Sequence, residues 1–372
     1  TLKMIIGDRT ETLSEGDCIY FDSSVPHNEI AVGGQECEFY AIVISPDGSS
    51  EMSEYVEEIK TPSTTNVDLA NLQNPVYSKF IETTVDESGV LNGITFKNDD
   101  KFNFAFDVVD ELAKKCPDKT AMLHVENDGT ERRFTFGDMS RHSAMTANYF
   151  KSLGIKKGDR VMLVLKRHYQ FWFSILALHK IGAIVVPATN QLVEHDFEYR
   201  FNAGQISAIV CTADGEVAHQ VELAAEKANV LKTKIIAHCK REGWHSFDEE
   251  YCQFSDVFER PSEEEGAFGY DPMLMFFTSG TTGYPKIAMH SHRYPLGHFI
   301  TAKYWHNVDP NGLHFTISDT GWGKALWGKL YGQWLCEAAT FTYDFDRFRS
   351  EDILPMFAKY KITTFCAPPT MY

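Results

Sequence analysis

The chain has 372 residues and is 43% hydrophobic, which predicts two or three domains with sizeable cores. Its 52 acidic residues outnumber its 35 basic residues, and the formal net charge of -17 argues against a surface built mainly for nucleic acid. A local pocket for a small anion remains compatible with that charge.

The first part of the chain, residues 1–47, is predicted to form a short β module. Its β-prone runs, "TLKMIIGD", "CIYFDS", "EIAV" and "ECEFYAIVI", alternate with turn-forming clusters such as "SEGD" and "VGGQ". Residues 48–75 are polar and are predicted to be a linker. The chain does not begin with methionine, and it ends at Tyr372 without a polar tail. We therefore expect both ends to interrupt folded domains.

From about residue 76 the pattern changes to alternating helices and apolar strands. An amphipathic helix is predicted to end before Pro117, a strand pair follows, and later apolar runs such as "DRVMLVL" and "AIVVPAT" indicate buried strands. The segment from Phe171 to Ala188 is interrupted by His179, Lys180 and Gly182, which favours a helix, a glycine stop and a strand over a membrane span. Residues 76–372 are therefore predicted to form an α/β domain with a mostly parallel sheet.

The cysteines and the N-terminus bear on the cellular compartment. Eight cysteines are scattered without a CxxC pair, which predicts reduced thiols, and the first residues lack a basic segment followed by an apolar one, so no signal peptide is predicted. These features favour a cytoplasmic protein without a membrane span.

The stretch "FFTSGTTGYPK", residues 276–286, places hydroxyls and glycines after a predicted buried strand, "DPMLMFF". Gly280 and Gly283 permit close backbone approach, backbone N–H groups and hydroxyls can hold an oxyanion, and Lys286 adds a point charge. The spacing is not that of a Walker A loop or of a GxGxxG fingerprint. From composition alone, an ordinary surface loop remains an alternative.

"TSGTTGYPK" resembles the phosphate-binding signature of the adenylate-forming enzymes, and residues 75–372 resemble the N-terminal part of that family's fold. The segments "SDTGW" and "KIGAIVVPAT" are most similar to those of short- and medium-chain acyl-CoA synthetases. The resemblance implies activation of a carboxylic acid with ATP and Mg²⁺ to an acyl-adenylate, then transfer to coenzyme A.

The resemblance also implies roles for particular residues. The β- and γ-phosphates of ATP would be held by Thr278, Ser279, Gly280, Thr281, Thr282, Gly283 and Lys286. The acyl pocket would be lined by Gly321, Trp322, Gly323 and Trp327, with glycines 321, 323 and 328 leaving room. A place in the plain core is the alternative for both tryptophans, and it is equally favoured for Trp327.

The family's later motifs do not occur before Tyr372. These include the Thr-Glu strand, the ribose-binding Asp and the lid lysine, so the catalytic residues are expected beyond this chain. As given, the chain is expected to be inactive or nearly so, because the lid must close over the adenylate. A regulatory protein whose synthetase-like domain only binds ligands is the alternative function.

The stretch "LSEGDCIYFDSSVPHNEI" resembles the second motif of cupins, as found behind a helix-turn-helix in some bacterial regulators. It implies a half jelly roll over residues 1–47, with His27 a weak candidate metal ligand. One histidine does not make a site, so no metal is predicted there. A metal site at His290, His292 and His298 is also disfavoured, because no acidic or cysteine ligand lies near them in sequence.

Overall fold

A computed structural model describes residues 2–6, 9–13, 27–31, 74–278 and 284–368. The chain divides into two compact units, residues 1–69 and residues 70–372. Most of the polar segment predicted as a linker, and most of the cupin-like motif, lie outside the described residues, and the predicted boundaries at 47 and 75 stay predictions.

The described part of the first unit is a three-stranded antiparallel sheet. Its strands are β1 (Leu2–Ile6), β2 (Arg9–Leu13) and β3 (His27–Ala31), in the order β2-β1-β3. The backbone of His27 pairs with that of Ile6 at one end of the sheet. The predicted β-rich character is confirmed for these strands, whereas the cupin assignment stays a prediction.

The second unit contains the remaining strands and the α-helices. Its described strands are β4 (Ile81–Val85), β5 (Leu91–Phe96), β6 (Thr120–Glu126), β7 (Glu131–Thr135), β8 (Arg160–Val164), β9 (Ile184–Pro187), β10 (Ile206–Thr212), β11 (Thr233–Ala237), β12 (His245–Ser246), β13 (Pro272–Thr278), β14 (Lys286–Ser291), β15 (Leu313–Thr316), β16 (Ala339–Asp344) and β17 (Thr364–Cys366). Its described α-helices are α1 (Glu111–Lys115), α2 (Phe136–Ser152), α3 (Gln170–Ile181), α4 (Glu194–Gly204), α5 (Val217–Lys227), α6 (Phe247–Glu250), α7 (Tyr294–Ile300), α8 (Gly323–Lys329), α9 (Tyr331–Leu335) and α10 (Ser350–Tyr360).

A seven-stranded sheet carries the predicted phosphate-binding segment. Its order is β12-β11-β10-β8-β9-β13-β14, and every neighbouring pair is parallel except β13 and β14. Strand β9 is fully buried and β8 nearly so, because helices cover both faces of a parallel sheet and require apolar side chains on both. The predicted mostly parallel sheet is confirmed here.

A separate five-stranded sheet has the order β17-β15-β16-β6-β7. The early hairpin of β6 and β7 is antiparallel, and β6 pairs in parallel with β16 more than two hundred positions later in the chain. The sequence pattern predicts β6, β7 and β17 of this sheet but not β15 or β16, and its expectation of one mostly parallel sheet is wrong. Strand identity is local information, whereas partner choice depends on tertiary packing.

The most apolar stretch of the chain folds into helix α3 and strand β9. All twelve residues of α3 are buried, and the helix stops at Gly182, whose φ of 83° is the left-handed conformation that glycine adopts at low cost. The strand then begins at Ile184. The predicted helix, glycine stop and strand are confirmed. No helix among the described residues is long and apolar enough to cross a membrane.

The two sheets meet through a cluster of polar side chains, partly buried, at the carboxyl ends of β8, β10 and β16. His168 lies within hydrogen-bond distance of Asp344, and its Nε2 lies 2.7 Å from Thr212 Oγ1. Lys166 Nζ donates to Asp214 Oδ2 at 2.5 Å and to Asp346 Oδ1 at 2.8 Å. Burial is the largest single influence on the pKa of Asp344 and tends to raise it, but the hydrogen bond from His168 and the charges of His168, His124 and Arg167 together lower it.

Because several histidines are buried in their neutral form, we predict that the free energy of unfolding falls on mild acidification. Burial lowers the pKa of His124 and His292 to about 4 and that of His314 to about 3, below the ~6.5 of an unfolded histidine. Between these values the unfolded chain binds more protons, so the free energy of unfolding falls as pH decreases from about 6.5 towards 4. Urea midpoints measured across this range will show the decrease.

A substitution at His292 tests the cause of this pH dependence. Neither ring nitrogen of His292 has a hydrogen-bond partner among the described residues. The His292→Leu variant is expected to lose less stability than the wild type between neutral pH and pH of about 5. Identical pH profiles for the two proteins would contradict the assignment.

Candidate active site

The phosphate-binding prediction falls on the turn between β13 and β14. Thr278 ends β13, Lys286 begins β14, and these two exposed residues are paired across the antiparallel ladder. The Thr278 hydroxyl donates to the Lys286 carbonyl oxygen at 3.4 Å. The structure therefore places both ends of the predicted loop together. Ser279, Gly280, Thr281, Thr282 and Gly283 lie outside the described residues.

Helix α4 holds the exit of this loop, which sequence reasoning missed. The Tyr199 hydroxyl donates to the Pro285 carbonyl oxygen at 2.9 Å, and the Tyr199 ring stacks on Tyr284 with centroids 4.9 Å apart. The guanidinium of Arg200 lies 5.4 Å from the centroid of Phe277 on β13. These contacts come from a helix some eighty residues earlier, so no local pattern signals them.

We expect Tyr199→Ala to weaken nucleotide binding, because it removes both the ring stack and the hydrogen bond that fix the loop exit. The KM for ATP in the complete protein should rise about tenfold, with a smaller change in kcat. Tyr199→Phe is the matched control, since it keeps the stack and loses only the hydrogen bond. Equal ATP KM values for the alanine variant and the wild type would contradict this role.

A turn over residues 318–322 brings the predicted acyl-pocket segment to the same sheet edge. The Gly321 N–H donates to Asp319 Oδ1 at 2.8 Å, and the Trp322 N–H donates to the Asp319 carbonyl oxygen at 3.1 Å. Gly321 packs on the backbone of Ala188 and Thr189, which directly follow β9. Since β9 is parallel to β13, this turn and Thr278, where the predicted phosphate loop begins, lie at the carboxyl edge where α/β sheets bind ligands.

The glycines of this segment do not all leave space, contrary to the sequence interpretation. A Cβ on Gly321 would collide with the backbone after β9, and one on Gly328 would lie 2.6 Å from the Thr316 side chain. Of the three, only Gly323 has room: a Cβ there would meet just the ring of Phe276, at a van der Waals distance of 3.9 Å. Gly321 and Gly328 therefore permit close packing of the chain rather than an open pocket.

The two tryptophans differ in their surroundings. Trp322 is 59% exposed, so it does not belong to the plain core. Trp327 is half-buried among other rings, with centroid distances of 5.7 Å to Trp305, 5.8 Å to His306 and 6.3 Å to His298. Their acyl-pocket roles stay predictions, and Trp327 fits a packed aromatic wall.

The histidines after the phosphate loop do not converge. His290 lies 4.6 Å from Tyr294 by ring centroids, and His292 is fully buried against His179. Burial lowers the pKa of His298 to about 4. The described part of the chain holds no group of three or more His, Cys, Asp or Glu side chains arranged for a metal ion.

Buried charges surround the 318–322 turn, and sequence reasoning missed them as well. Lys329, at the end of α8, is 1% exposed, and its Nζ donates to the Ser318 carbonyl oxygen at 2.9 Å. Arg167 Nη1 lies 3.7 Å from Asp319 Oδ2. Burial raises the pKa of Asp319 and lowers that of Lys329 to about 7.

Two cavities lie away from these segments. One of about 520 Å³ is lined by residues of α1 and α2 with Lys180 and Arg260. The other, of about 420 Å³, is lined by Tyr169, His238, Asp248 and their neighbours. Neither lining includes Thr278, Lys286 or Trp322, so these two cavities are separate from the predicted site residues.

The family profile described as "AMP-binding enzyme" matches residues 109–372, which is more than half of the chain. The chain belongs to this family. The match includes the hairpin of β13 and β14 and the 318–322 turn, so the segments that the geometry brings to one edge are those of an AMP-binding enzyme.

Individual relatives refine this family assignment. The chain is 33% identical over 279 residues to the human mitochondrial acyl-coenzyme A synthetase ACSM3, covering 73% of this chain and 47% of that protein. It is 35% identical over 282 residues to human mitochondrial ACSM4, with the same coverage. The chain therefore spans about half the length of the curated relatives it matches.

Solved structures agree on the fold. The anthranilate CoA ligase AuaEII in complex with anthranoyl-AMP aligns with a TM-score of 0.64 at 21% identity, covering 72% of this chain and 49% of that one. An acyl-CoA synthetase from Brucella canis also aligns with a TM-score of 0.64, at 22% identity and over 74% of this chain and 49% of that one. The α/β adenylate-forming fold is thus confirmed for the second unit.

Proposed function

We propose that the complete protein is an acyl-CoA synthetase that activates a carboxylic acid with MgATP and transfers the acyl group to coenzyme A. The observation that carries this proposal is the pairing of Thr278 with Lys286 at the mouth of the phosphate loop, beside the turn that presents Trp322. The similarity to proteins named as acyl-coenzyme A synthetases supports the same reaction class.

In the first half-reaction, a carboxylate oxygen of the acid attacks the α-phosphorus of ATP. The bond to the bridging oxygen breaks, and pyrophosphate leaves with the electron pair. Two anions must approach each other, so the cation of Lys286, the hydroxyl of Thr278 and the amides of the loop would offset their repulsion. Magnesium would enter with the nucleotide as part of the substrate, bound to its phosphates.

In the second half-reaction, the thiolate sulfur of coenzyme A attacks the acyl carbon and AMP leaves. The exposed ring of Trp322 offers an apolar surface at the edge of the site, and we propose that it contacts the acyl group together with Gly321, Gly323 and Trp327. Short, branched, medium-chain and aromatic acids all remain candidate substrates.

Finer assignments belong to the same proposal. We propose that the protein acts in the cytoplasm, whereas the relatives ACSM3 and ACSM4 are named as mitochondrial proteins. We also propose that residues 1–47 form a partial cupin, because "LSEGDCIYFDSSVPHNEI" resembles the second cupin motif. No nucleic-acid contact by this chain is proposed, and its oligomeric state stays open.

The test is carboxylate-dependent ATP–pyrophosphate exchange by the complete gene product against a panel of acids. Exchange with one acid class would establish adenylation, and thioester formation on adding coenzyme A would establish the second step. A folded protein that shows no exchange with any acid would overturn the proposal. That result would favour the alternative, a cupin-linked regulatory protein whose synthetase-like domain only binds ligands.

A further inference from the structure

Lys329 is a buried lysine, and other interactions in the fold must offset the free energy of removing its ammonium group from water. Removing an ammonium group from water is unfavourable unless hydrogen bonds and opposite charges compensate. Lys329 is 1% exposed, and an apolar residue would fill the end of α8 without that penalty. A role that needs the charge or the N–H donors would explain its presence.

The contacts of Lys329 point to the turn over residues 318–322. Its Nζ donates to the Ser318 carbonyl oxygen at 2.9 Å, the residue directly before Asp319. The charged groups that face it are Arg167, Asp319 and Asp344, with His314 nearby on β15. The two acids favour its ammonium form, and the guanidinium of Arg167 opposes it.

Hydrogen bonds of Asp319 connect the start of the turn, which Lys329 holds, to the backbone of Trp322. One carboxylate oxygen of Asp319 accepts the Gly321 N–H at 2.8 Å, and its carbonyl oxygen accepts the Trp322 N–H at 3.1 Å. On the other side, the Thr320 N–H donates to the Lys166 carbonyl oxygen at 2.9 Å. Lys329 thus holds the start of the turn, and Lys166, two residues after β8, holds its middle, while the Trp322 side chain stays exposed.

We propose that Lys329 is a positioning residue for the acyl site, which fixes the 318–322 turn and through it the ring of Trp322. This inference rests on the proposed function, because Trp322 contacts substrate only if the site takes an acyl group. Lys329 itself touches neither the acid nor the nucleotide. Its effect should appear in acid recognition and not in ATP recognition.

The test is a double-mutant cycle in the complete protein with Lys329→Met and Trp322→Ala. Methionine has a similar volume and removes the charge and the N–H donors. Lys329→Met should raise the KM for the acid about tenfold and leave the KM for ATP within about twofold. In the Trp322→Ala background the same change should have little further effect, because the two residues act through one turn.

Lys180→Met is the matched control, since Lys180 is also a buried lysine but bonds Asp110 far from the turn. It should lower thermal stability and leave the acid KM unchanged. Additive effects of the two changes in the cycle, or equal shifts in the acid and ATP KM values, would overturn the proposal. If Lys329→Met does not fold, Lys329→Arg, which keeps the charge and donors but changes their geometry, replaces it in the same cycle.

A fluorescence measurement separates this inference from the proposed function. Comparing each protein with its Trp322→Phe version gives the acrylamide quenching that is due to Trp322. Lys329→Met should change this contribution and Lys180→Met should not. An unchanged contribution would overturn the positioning role, whereas a changed contribution in a protein without pyrophosphate exchange would overturn only the proposed function.

Discussion

Lys286→Ala is expected to reduce the rate of ATP–pyrophosphate exchange by the complete protein by about a hundredfold, the usual effect of removing one group that stabilises transition-state charge. Lys286 begins β14 directly opposite Thr278, so it stands at one end of the predicted phosphate loop. Because the pentavalent transition state carries more charge on the transferred and leaving oxygens than bound ATP does, kcat should fall more than the KM for ATP rises.

Lys232→Ala is a suitable control for Lys286→Ala. Lys232 is also exposed, but it precedes β11 and lies far along the sheet from the loop. Its loss should leave both the exchange rate and the urea midpoint close to the wild-type values. An exchange rate for Lys286→Ala within about twofold of the wild type would remove Lys286 from the phosphate site.

Gly321→Ala is expected to destabilise the protein by about 1–3 kcal/mol and to lower acid affinity, because overpacking forces the backbone to shift. A Cβ at this position would collide with backbone atoms of Ala188 and Thr189, which cannot rotate away as a side chain would. The shift would displace the 318–322 turn and the Trp322 ring with it. Urea unfolding measures the first effect and the KM for the acid measures the second.

Gly323→Ala provides the comparison for Gly321→Ala. It lies two residues away, at the start of α8, and its Cβ would meet only the ring of Phe276 at 3.9 Å. Its free energy of unfolding should stay within about 0.5 kcal/mol of the wild type. Equal stability losses in the two variants would show that close packing at Gly321 is not the cause.

The sequence predicts the parts of the fold that depend on local chemistry. Continuous apolar runs identify β8, β9 and β13, and Gly182 marks the end of α3 because few other residues adopt its left-handed conformation. The small and hydroxyl-bearing residues after β13 suit an anion, so they also predict a phosphate loop, and this role stays a prediction. Each of these signals lies within a dozen consecutive residues.

The remaining features depend on contacts between distant segments. Tyr199 reaches Pro285 across 86 positions, and the Thr320 hydroxyl reaches the Lys166 carbonyl across 154. Nothing in the residues around Lys329 signals that its ammonium is buried beneath the turn. The small size of Gly321 is visible in the sequence, but whether it leaves a pocket or admits a neighbouring backbone is decided by the fold.

The interleaved order of the two sheets has a consequence for how the chain folds during synthesis. Strands β8 to β12 are nearly consecutive, so most of the seven-stranded sheet can assemble soon after residue 246 is made. The hairpin of β6 and β7 must wait for β16, which starts at Ala339. At roughly 5–20 residues per second, its apolar edge stays unpaired for about ten seconds or more. We therefore expect a chaperone to bind this hairpin in the nascent chain until β16 is made.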